Sequence, residues 1–236
     1  MKKKCIFGLN RFEIMLWLIS VAVISLSFII CSSSDWVSLV ASIIGITSLI
    51  FLAKGYVIGQ ILIIIFSVFY GIVSFYSRYY GEMITYLCMT TPMAIAALIQ
   101  WIKNPFQGTK EVEISKLTKK HIAIMSASAV AVTIAFYFIL KLLGNASLIV
   151  STLSITTSFF AAYMTAARSP YYALGYACND IVLVVLWIVA SVKNPNCIPM
   201  VSCFAMFLVN DLYGFYSWKK MEKRQKRIKK RKNDGI

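Results

Sequence analysis

Long apolar runs separated by short polar turns dominate the chain. A helix that crosses the bilayer core needs roughly 17 to 25 mostly apolar residues. Eight runs of this length can be delimited, at residues 14–30, 36–53, 56–77, 83–102, 122–140, 146–167, 171–192 and 197–217. The pattern therefore predicts an all-α integral membrane protein with eight transmembrane helices.

Two prolines refine this division. Pro170 stands at the start of the seventh run, where its missing N–H costs nothing because the first turn of a helix has no partner for it. Pro92 lies inside the fourth run. It lacks the N–H that would satisfy a carbonyl one turn earlier, so we expect a kink in that helix.

Positive charge is distributed unevenly between the two sides of the predicted bundle. Eight spans place both termini on one side, which then holds 21 of the 24 Lys and Arg residues. The other side holds three, Arg78, Lys141 and Lys193. Cytoplasmic loops of membrane proteins carry an excess of Lys and Arg. We therefore expect a multi-pass protein of the cell membrane with both termini in the cytoplasm.

Composition excludes several classes of protein. Hydrophobic residues make up 59% of the chain and charged residues only 14%, with a mean hydropathy of +0.75, whereas a soluble domain is about a quarter charged. The net charge of +15 comes largely from ten basic residues after position 218. We expect this tail to be a solvated topology anchor that is also attracted to anionic lipid, with a specific RNA or protein partner as the alternative, and we expect no nucleic-acid function for the chain. The six cysteines show no CxxC spacing and His121 is the sole histidine, so neither a metal site nor a cofactor is predicted.

An internal repeat is suggested by a shift of 117 residues. This shift places Tyr70 on Trp187 and Trp101 on Trp218. Two parallel three-helix repeats, with a binding site between them near mid-membrane, would explain the correspondence. The predicted segments are an amino terminus with an extra helix (1–34), a first repeat (35–104), a cytoplasmic loop with a linker helix (105–144), a second repeat (145–218) and a basic tail (219–236).

Polar residues inside the predicted spans are candidates for function because they are costly in lipid. Two Asn-Asp pairs stand out, Asn179-Asp180 and Asn210-Asp211, each with a tryptophan seven residues after the aspartate. Helical spacing puts Tyr176, Asp180 and Trp187 on one stripe. Such groups can grip a polar substrate with a ring, or can simply form hydrogen bonds between helices, and both interpretations stay open.

Weaker candidates lie in the first repeat. Gln60 falls about one turn inside the third span, and Tyr70 lies further along the same span. Glu82 follows Tyr79-Tyr80-Gly81 in what we interpret as a solvated turn at a helix start, where the helix dipole favours an acidic side chain.

The order and spacing of several short motifs resemble the PnuC-type nicotinamide riboside transporters over about residues 35–222. These motifs are Gly59-Gln60 with Tyr70, residues 79–82 (YYGE), Pro92-Met93, Trp101-Ile-Lys-Asn104, residues 168–172 (RSPYY), Asn179-Asp180, Trp187, residues 210–214 (NDLYG) and Trp218. The resemblance implies a SWEET-like three-plus-one-plus-three fold, here preceded by one extra helix, and often a homotrimer. It also implies facilitated uptake of a vitamin-like nucleoside that a cytoplasmic kinase then traps by phosphorylation.

The resemblance further implies a substrate site on the helices of the second repeat. Carried over residue by residue, it comprises Tyr172, Tyr176, Asn179, Trp187 and Asn210. Many members have a tryptophan where this chain has Tyr172, and a second where it has Gly175. Related branches carry thiamine, riboflavin or deoxynucleosides.

Two classes of function remain. The first is passive transport of nicotinamide riboside, whose cationic ring and ribose diol suit aromatic faces, amides and carboxylates. The sequence contains no P-loop motif for ATP hydrolysis. The alternative within this class is a proton-coupled transporter of thiamine or a deoxynucleoside that uses Asp180 or Asp211. The second class is a membrane-embedded enzyme or a structural subunit. An enzyme is disfavoured because the chain has one His and neither an HExxH nor a GxSxG motif, and we expect no catalytic residues.

Overall fold

A computed structural model describes residues 8–31, 36–76, 80–145 and 147–233 of the chain. Within these ranges eight helices are long and apolar enough to cross a membrane. They are α1 (Arg11–Ile30), α2 (Trp36–Ala53), α3 (Val57–Tyr76), α4 (Tyr80–Lys103), α5 (Lys119–Leu142), α6 (Leu148–Ala166), α7 (Tyr172–Lys193) and α8 (Ile198–Asn233). The predicted all-α architecture is confirmed. The predicted turn at 32–35 and the span ends at Ser77 and Ala146 lie outside the described residues.

Two groups of three helices enclose the centre of the molecule. In the first triplet, α3 packs between α2 and α4, and in the second triplet, α7 packs between α6 and α8. The triplets meet where α2 contacts α8 and where α4 contacts α6. Helix α1 lies beside α2 and α8, whereas α5 packs on α6 and is the least enclosed of the eight. The SWEET-like repeat itself stays a prediction.

The amino end of α1 is fixed by a buried carboxylate. Asn10 accepts from the backbone N–H of Glu13, and the Glu13 carboxylate accepts from the Asn10 N–H, which together form a capping box. Glu13 also accepts a hydrogen bond of 2.8 Å from Tyr213 on α8 and pairs with Lys54 at 3.3 Å. These contacts bind the extra helix to the second triplet.

Helix α4 contains a π-helical turn at Thr85–Thr90, directly before Pro92. The backbone N–H of Thr91 reaches back five residues to the carbonyl of Tyr86, and the Thr91 hydroxyl donates to the same oxygen at 2.8 Å. The distortion expected at Pro92 thus takes this form, and π-helical turns of this kind are frequent at functional sites. It places the Tyr86 side chain toward the centre of the bundle.

Helix α8 does not stop at the predicted span end, Ser217, but continues without a break to Asn233. Its extension packs against the segment between α4 and α5: Gln225 donates to the Val112 carbonyl at 2.9 Å and accepts from the Ile114 N–H at 2.9 Å. Ion pairs join Arg224 to Glu111 and Lys229 to Glu113. The basic tail is therefore a docked helix over much of its length, because one face of it carries groups that pair with this segment.

Lys54, Lys103, Arg168 and the extension of α8 all lie at the same end of the bundle, which we call the basic end. Helices α3 and α7 begin there, and α4 and α8 run toward it.

Candidate functional site

A cavity of about 30 Å³ lies between the two triplets. Its wall combines aromatic rings with a small number of polar groups, as is typical of ligand sites. The aromatic residues are Phe66, Tyr86, Tyr176, Phe204 and Phe207. The polar residues are Thr90, Ser158, Asn179, Asp180 and Asp211. Of the candidates from the sequence, Tyr176, Asn179, Asp180 and Asp211 are therefore brought together at one cavity.

The amide of Asn179 is oriented by hydroxyl groups of α6. Its Oδ1 accepts from Thr157 at 2.8 Å, from Ser158 at 2.9 Å and more weakly from Ser154 at 3.4 Å. Within the described chain, no hydrogen bond uses the amide nitrogen of Asn179. The nitrogen is thus left as a donor at the cavity wall.

Asp180 and Asp211 form a carboxyl pair across the cavity. Their side chains are hydrogen-bonding neighbours, and each is at most 4% exposed. Oδ2 of Asp180 has no partner among the described residues. The described lining of this cavity contains no Lys or Arg. The cavity therefore offers carboxyl groups as hydrogen-bonding partners to a ligand, and no positive charge.

Tyr70 and Trp187 lie beyond the cavity wall, on the side away from the basic end. The Trp187 indole N–H donates to the Tyr70 hydroxyl at 3.0 Å, and the Tyr70 ring lies 4.3 Å from that of Tyr86. Trp187 is seven residues beyond Asp180 on α7, which places it about 10 Å further from the basic end. We call this hydrogen-bonded pair the far lid.

Three aromatic residues pack together between the cavity and the basic end, and we call them the basic-end lid. The ring centroid of Trp218 lies 4.6 Å from that of Tyr172 and 5.4 Å from that of Trp101. All three side chains are at most 1% exposed. The candidate Tyr172 thus belongs to this lid and not to the cavity wall.

Two candidates are buried away from the cavity. Asn210 directs its amide nitrogen to the Ser20 hydroxyl on α1 at 2.9 Å and to the Met206 carbonyl at 2.8 Å. Its Oδ1 has no partner among the described residues, and neither has Nε2 of Gln60. Asn210 thus contacts the extra helix.

Glu82 lies in the first turn of a helix, as predicted, but the prediction of a solvated turn around it was wrong. This residue does not lie in a solvated turn: it is 2% exposed, and neither carboxylate oxygen has a partner in the described structure. Phe66, Phe204 and Phe207 were missed. Their signal was spacing, because Phe66 precedes Tyr70 by one turn, while Phe204 and Phe207 precede Asp211 by seven and four residues.

Comparison with known proteins agrees with this geometry. The family model described as nicotinamide mononucleotide transporter matches residues 35–220, which is well over half of the chain. The chain belongs to this family. It is therefore a multi-pass membrane transporter and not an enzyme, which confirms the resemblance drawn from the motifs.

Two curated relatives are both called nicotinamide riboside transporter PnuC. The one from Neisseria mucosa is 28% identical over 229 residues, covering 94% of this chain and 86% of the relative. The one from Haemophilus influenzae is 24% identical over 226 residues, covering 95% and 96%. A crystal structure of the vitamin B3 transporter PnuC superposes with a TM-score of 0.81 at 25% identity, covering 95% of this chain and 97% of the other. The transporter thus shares its fold with a solved member along nearly its whole length.

Proposed function

We propose that this transporter moves nicotinamide riboside across the cell membrane by facilitated diffusion. The observation that carries the proposal is the Asp180–Asp211 carboxyl pair, which faces a ring of aromatic side chains in a cavity whose described lining holds no basic residue. A pyridinium ring is attracted to aromatic faces and to carboxylates. The names of the two curated relatives point to the same substrate.

The charged groups of the cavity are expected to discriminate between two chemically similar substrates. The family is described by nicotinamide mononucleotide, which carries a phosphate, whereas the relatives are called riboside transporters. A phosphate would face Asp180 and Asp211 with no Lys or Arg in the described lining to offset it. Burying like charges together is unfavourable in a low dielectric. The geometry therefore supports the unphosphorylated cation.

Individual polar groups suit the remainder of the molecule. The Asn179 amide nitrogen is a free donor for a ribose or carboxamide oxygen, because its carbonyl is already satisfied by α6. Oδ2 of Asp180 is a free acceptor for a ribose hydroxyl. Tyr176 adds an aromatic face to the same wall. We include Gln60 and Asn210 as buried amides whose orphaned atoms become available if the helices shift.

Transport requires the lids to open. A cavity of about 30 Å³ has room for little more than a water molecule, whereas small-molecule sites measure about 300–1,000 Å³. We propose that the Tyr70–Trp187 pair and the basic-end lid, which includes Tyr172, separate alternately. The described arrangement is then the occluded one, with both lids closed.

We propose that the basic end faces the cytoplasm, because the side of both termini carries an excess of Lys and Arg. Phosphorylation of the substrate there would give it negative charge, and the carboxyl pair would then disfavour its return. This is the physical basis that we propose for trapping. The homotrimer is proposed from the family resemblance, and light scattering of the purified protein in detergent tests it through the protein mass of the complex.

The decisive experiment is uptake into proteoliposomes by the full chain. We expect saturable uptake of nicotinamide riboside, competition by excess unlabelled riboside, and no uptake of the mononucleotide. Asp180→Asn and Asp211→Asn are expected to lower riboside uptake at least about tenfold if each carboxyl contributes about 1.4 kcal/mol. Equal uptake of both compounds would refute the charge argument, and competition by thiamine or a deoxynucleoside alone would reassign the substrate.

One observation favours proton coupling as a second candidate function. Two buried carboxyl groups that face each other can share one proton, and a proton could be carried with the substrate. Uptake measured with and without a pH gradient, at a constant substrate gradient, distinguishes proton coupling from facilitated diffusion. Facilitated diffusion predicts no change when the pH gradient is collapsed, whereas coupling predicts loss of accumulation above the external concentration.

A further inference from the structure

A second and larger recess lies at the basic end, apart from the central cavity. It measures about 670 Å³ and is bordered by the amino end of α1, the turn after α2 and the extension of α8. None of its lining residues borders the central cavity. We call it the α1–α8 groove.

The acidic residues of this groove have charged partners within the protein, whereas one of its basic residues has none among the described residues. Its two acids are both satisfied, since Glu13 binds Lys54 and Tyr213 while Glu111 pairs with Arg224. Lys220 also lines the groove, is exposed, and has no hydrogen bond or ion pair with any described residue. An ammonium group and the remaining guanidinium N–H donors of Arg224 are therefore left to bind an anion.

Two apolar stripes run from the groove along the outside of the helices. On α8, Val209, Leu212 and Tyr216 are 45%, 51% and 63% exposed and follow one another at spacings of three and four residues. Lys220 continues the same stripe four residues later. Such spacing puts all four on one face of the helix.

Helix α1 carries a matching stripe of Phe12, Met15 and Ile19, each half-exposed or more. Phe12 and Tyr216 both border the groove, so the two stripes converge at it. The surface is apolar along the membrane-spanning part of both helices and cationic at the basic end.

We propose that the α1–α8 groove binds an anionic phospholipid from the leaflet at the basic end. The phosphate is placed against Lys220 and Arg224, and the acyl chains lie along the stripes of α1 and α8. Basic pockets between transmembrane helices are suited to such headgroups. A soluble phosphate would use only the cations and leave the converging apolar stripes without a role, which favours lipid. The proposal is independent of the substrate assigned to the central cavity.

Native mass spectrometry of the delipidated full chain tests this site. The protein is titrated with phosphatidylglycerol or with phosphatidylcholine of the same acyl chains, and bound lipids are counted. We expect the first phosphatidylglycerol to bind more tightly than phosphatidylcholine. Lys220→Gln is expected to weaken it about fivefold, the scale for one cation near a membrane surface. The matched control is Lys223→Gln, an exposed lysine of the same helix that does not border the groove and should bind like wild type.

Three results would overturn the proposal. Equal binding of the two lipids would remove the role of headgroup charge. Equal weakening by Lys220→Gln and Lys223→Gln would show attraction to the whole tail without a site. Thermal stabilisation by inorganic phosphate alone, lost in Lys220→Gln, would reassign the groove to a soluble phosphate. Melting curves of both variants in detergent establish that each is folded before titration.

Discussion

The indole rings of Trp101 and Trp218 lie 5.4 Å apart, and each caps a helix of the opposite triplet. Trp101 donates to the Thr165 carbonyl in the last turn of α6 at 3.0 Å, and Trp218 donates to the Leu52 carbonyl in the last turn of α2 at 2.8 Å. The last four carbonyls of a helix have no partner within it. The two tryptophans are 117 residues apart, as are Tyr70 and Trp187. The predicted offset thus relates residues that meet at the triplet interface.

Replacing either capping tryptophan is expected to destabilise the fold. Trp101→Phe or Trp218→Phe keeps a ring but removes the donor to a buried carbonyl, at a cost of about 1–3 kcal/mol. Thermal unfolding in detergent measures the loss as a lower melting temperature. Trp36→Phe is the matched control because Trp36 is 68% exposed at the start of α2. An equal loss in all three variants would contradict the capping role.

Asn179→Ala is expected to weaken substrate binding while leaving the protein folded. The variant removes the one amide donor that α6 hydroxyls orient toward the cavity, and losing such a bond costs about 1–3 kcal/mol, or about 5- to 150-fold in Kd. Calorimetric titration with nicotinamide riboside measures the change. Asn196→Ala, in the exposed turn before α8, is the control. Wild-type affinity in a folded Asn179→Ala protein would remove this residue from the site.

The far lid is expected to behave as a coupled pair. Tyr70→Phe, Trp187→Phe and the double variant form a double-mutant cycle that measures the coupling between two side chains that share a hydrogen bond and a T-shaped ring contact. We expect an interaction free energy of about 0.5–1.5 kcal/mol in stability. Riboside uptake by the same variants reports whether a weaker lid alters the transport rate. Strict additivity of the two single changes in stability would show that the bond does not hold the lid closed.

Replacement by glutamine is expected to lower the stability of the protein at one buried glutamate and not at another. Glu13→Gln should lower stability by about 1–3 kcal/mol, since it leaves Lys54 without its counter-charge and disturbs the bond from Tyr213. Glu82→Gln should cause no loss, because neither of its oxygens has a partner in the described structure to lose. The melting temperatures of both variants, each compared with that of the wild type, test this difference in stability. A larger loss in Glu82→Gln would mean that this carboxyl is held by contacts beyond those described.

Much of the fold could be predicted from the sequence because lipid leaves few choices. A backbone that crosses a bilayer must satisfy its own N–H and C=O groups, so an apolar run of sufficient length forms a helix. The intramembrane Asn-Asp pairs were identified for the same reason, since polar groups there are costly. The tail was harder to interpret, because its docking depends on Gln225 meeting the backbone of Val112 and Ile114, more than 100 residues away in the chain.

The two Asn-Asp pairs show where the sequence reaches its limit. Asp180 and Asp211 both face the central cavity, yet Asn179 lines it while Asn210 turns to Ser20 on α1. Neighbouring residues on a helix point about 100° apart, so the direction of each asparagine depends on which helix packs beside it. The sequence by itself determined the eight spans, the polar residues within them and the excess of positive charge at one end. Only the tertiary structure decided which polar residues share a cavity and that Glu82 is buried, because helix neighbours are chosen by long-range packing that no local spacing records.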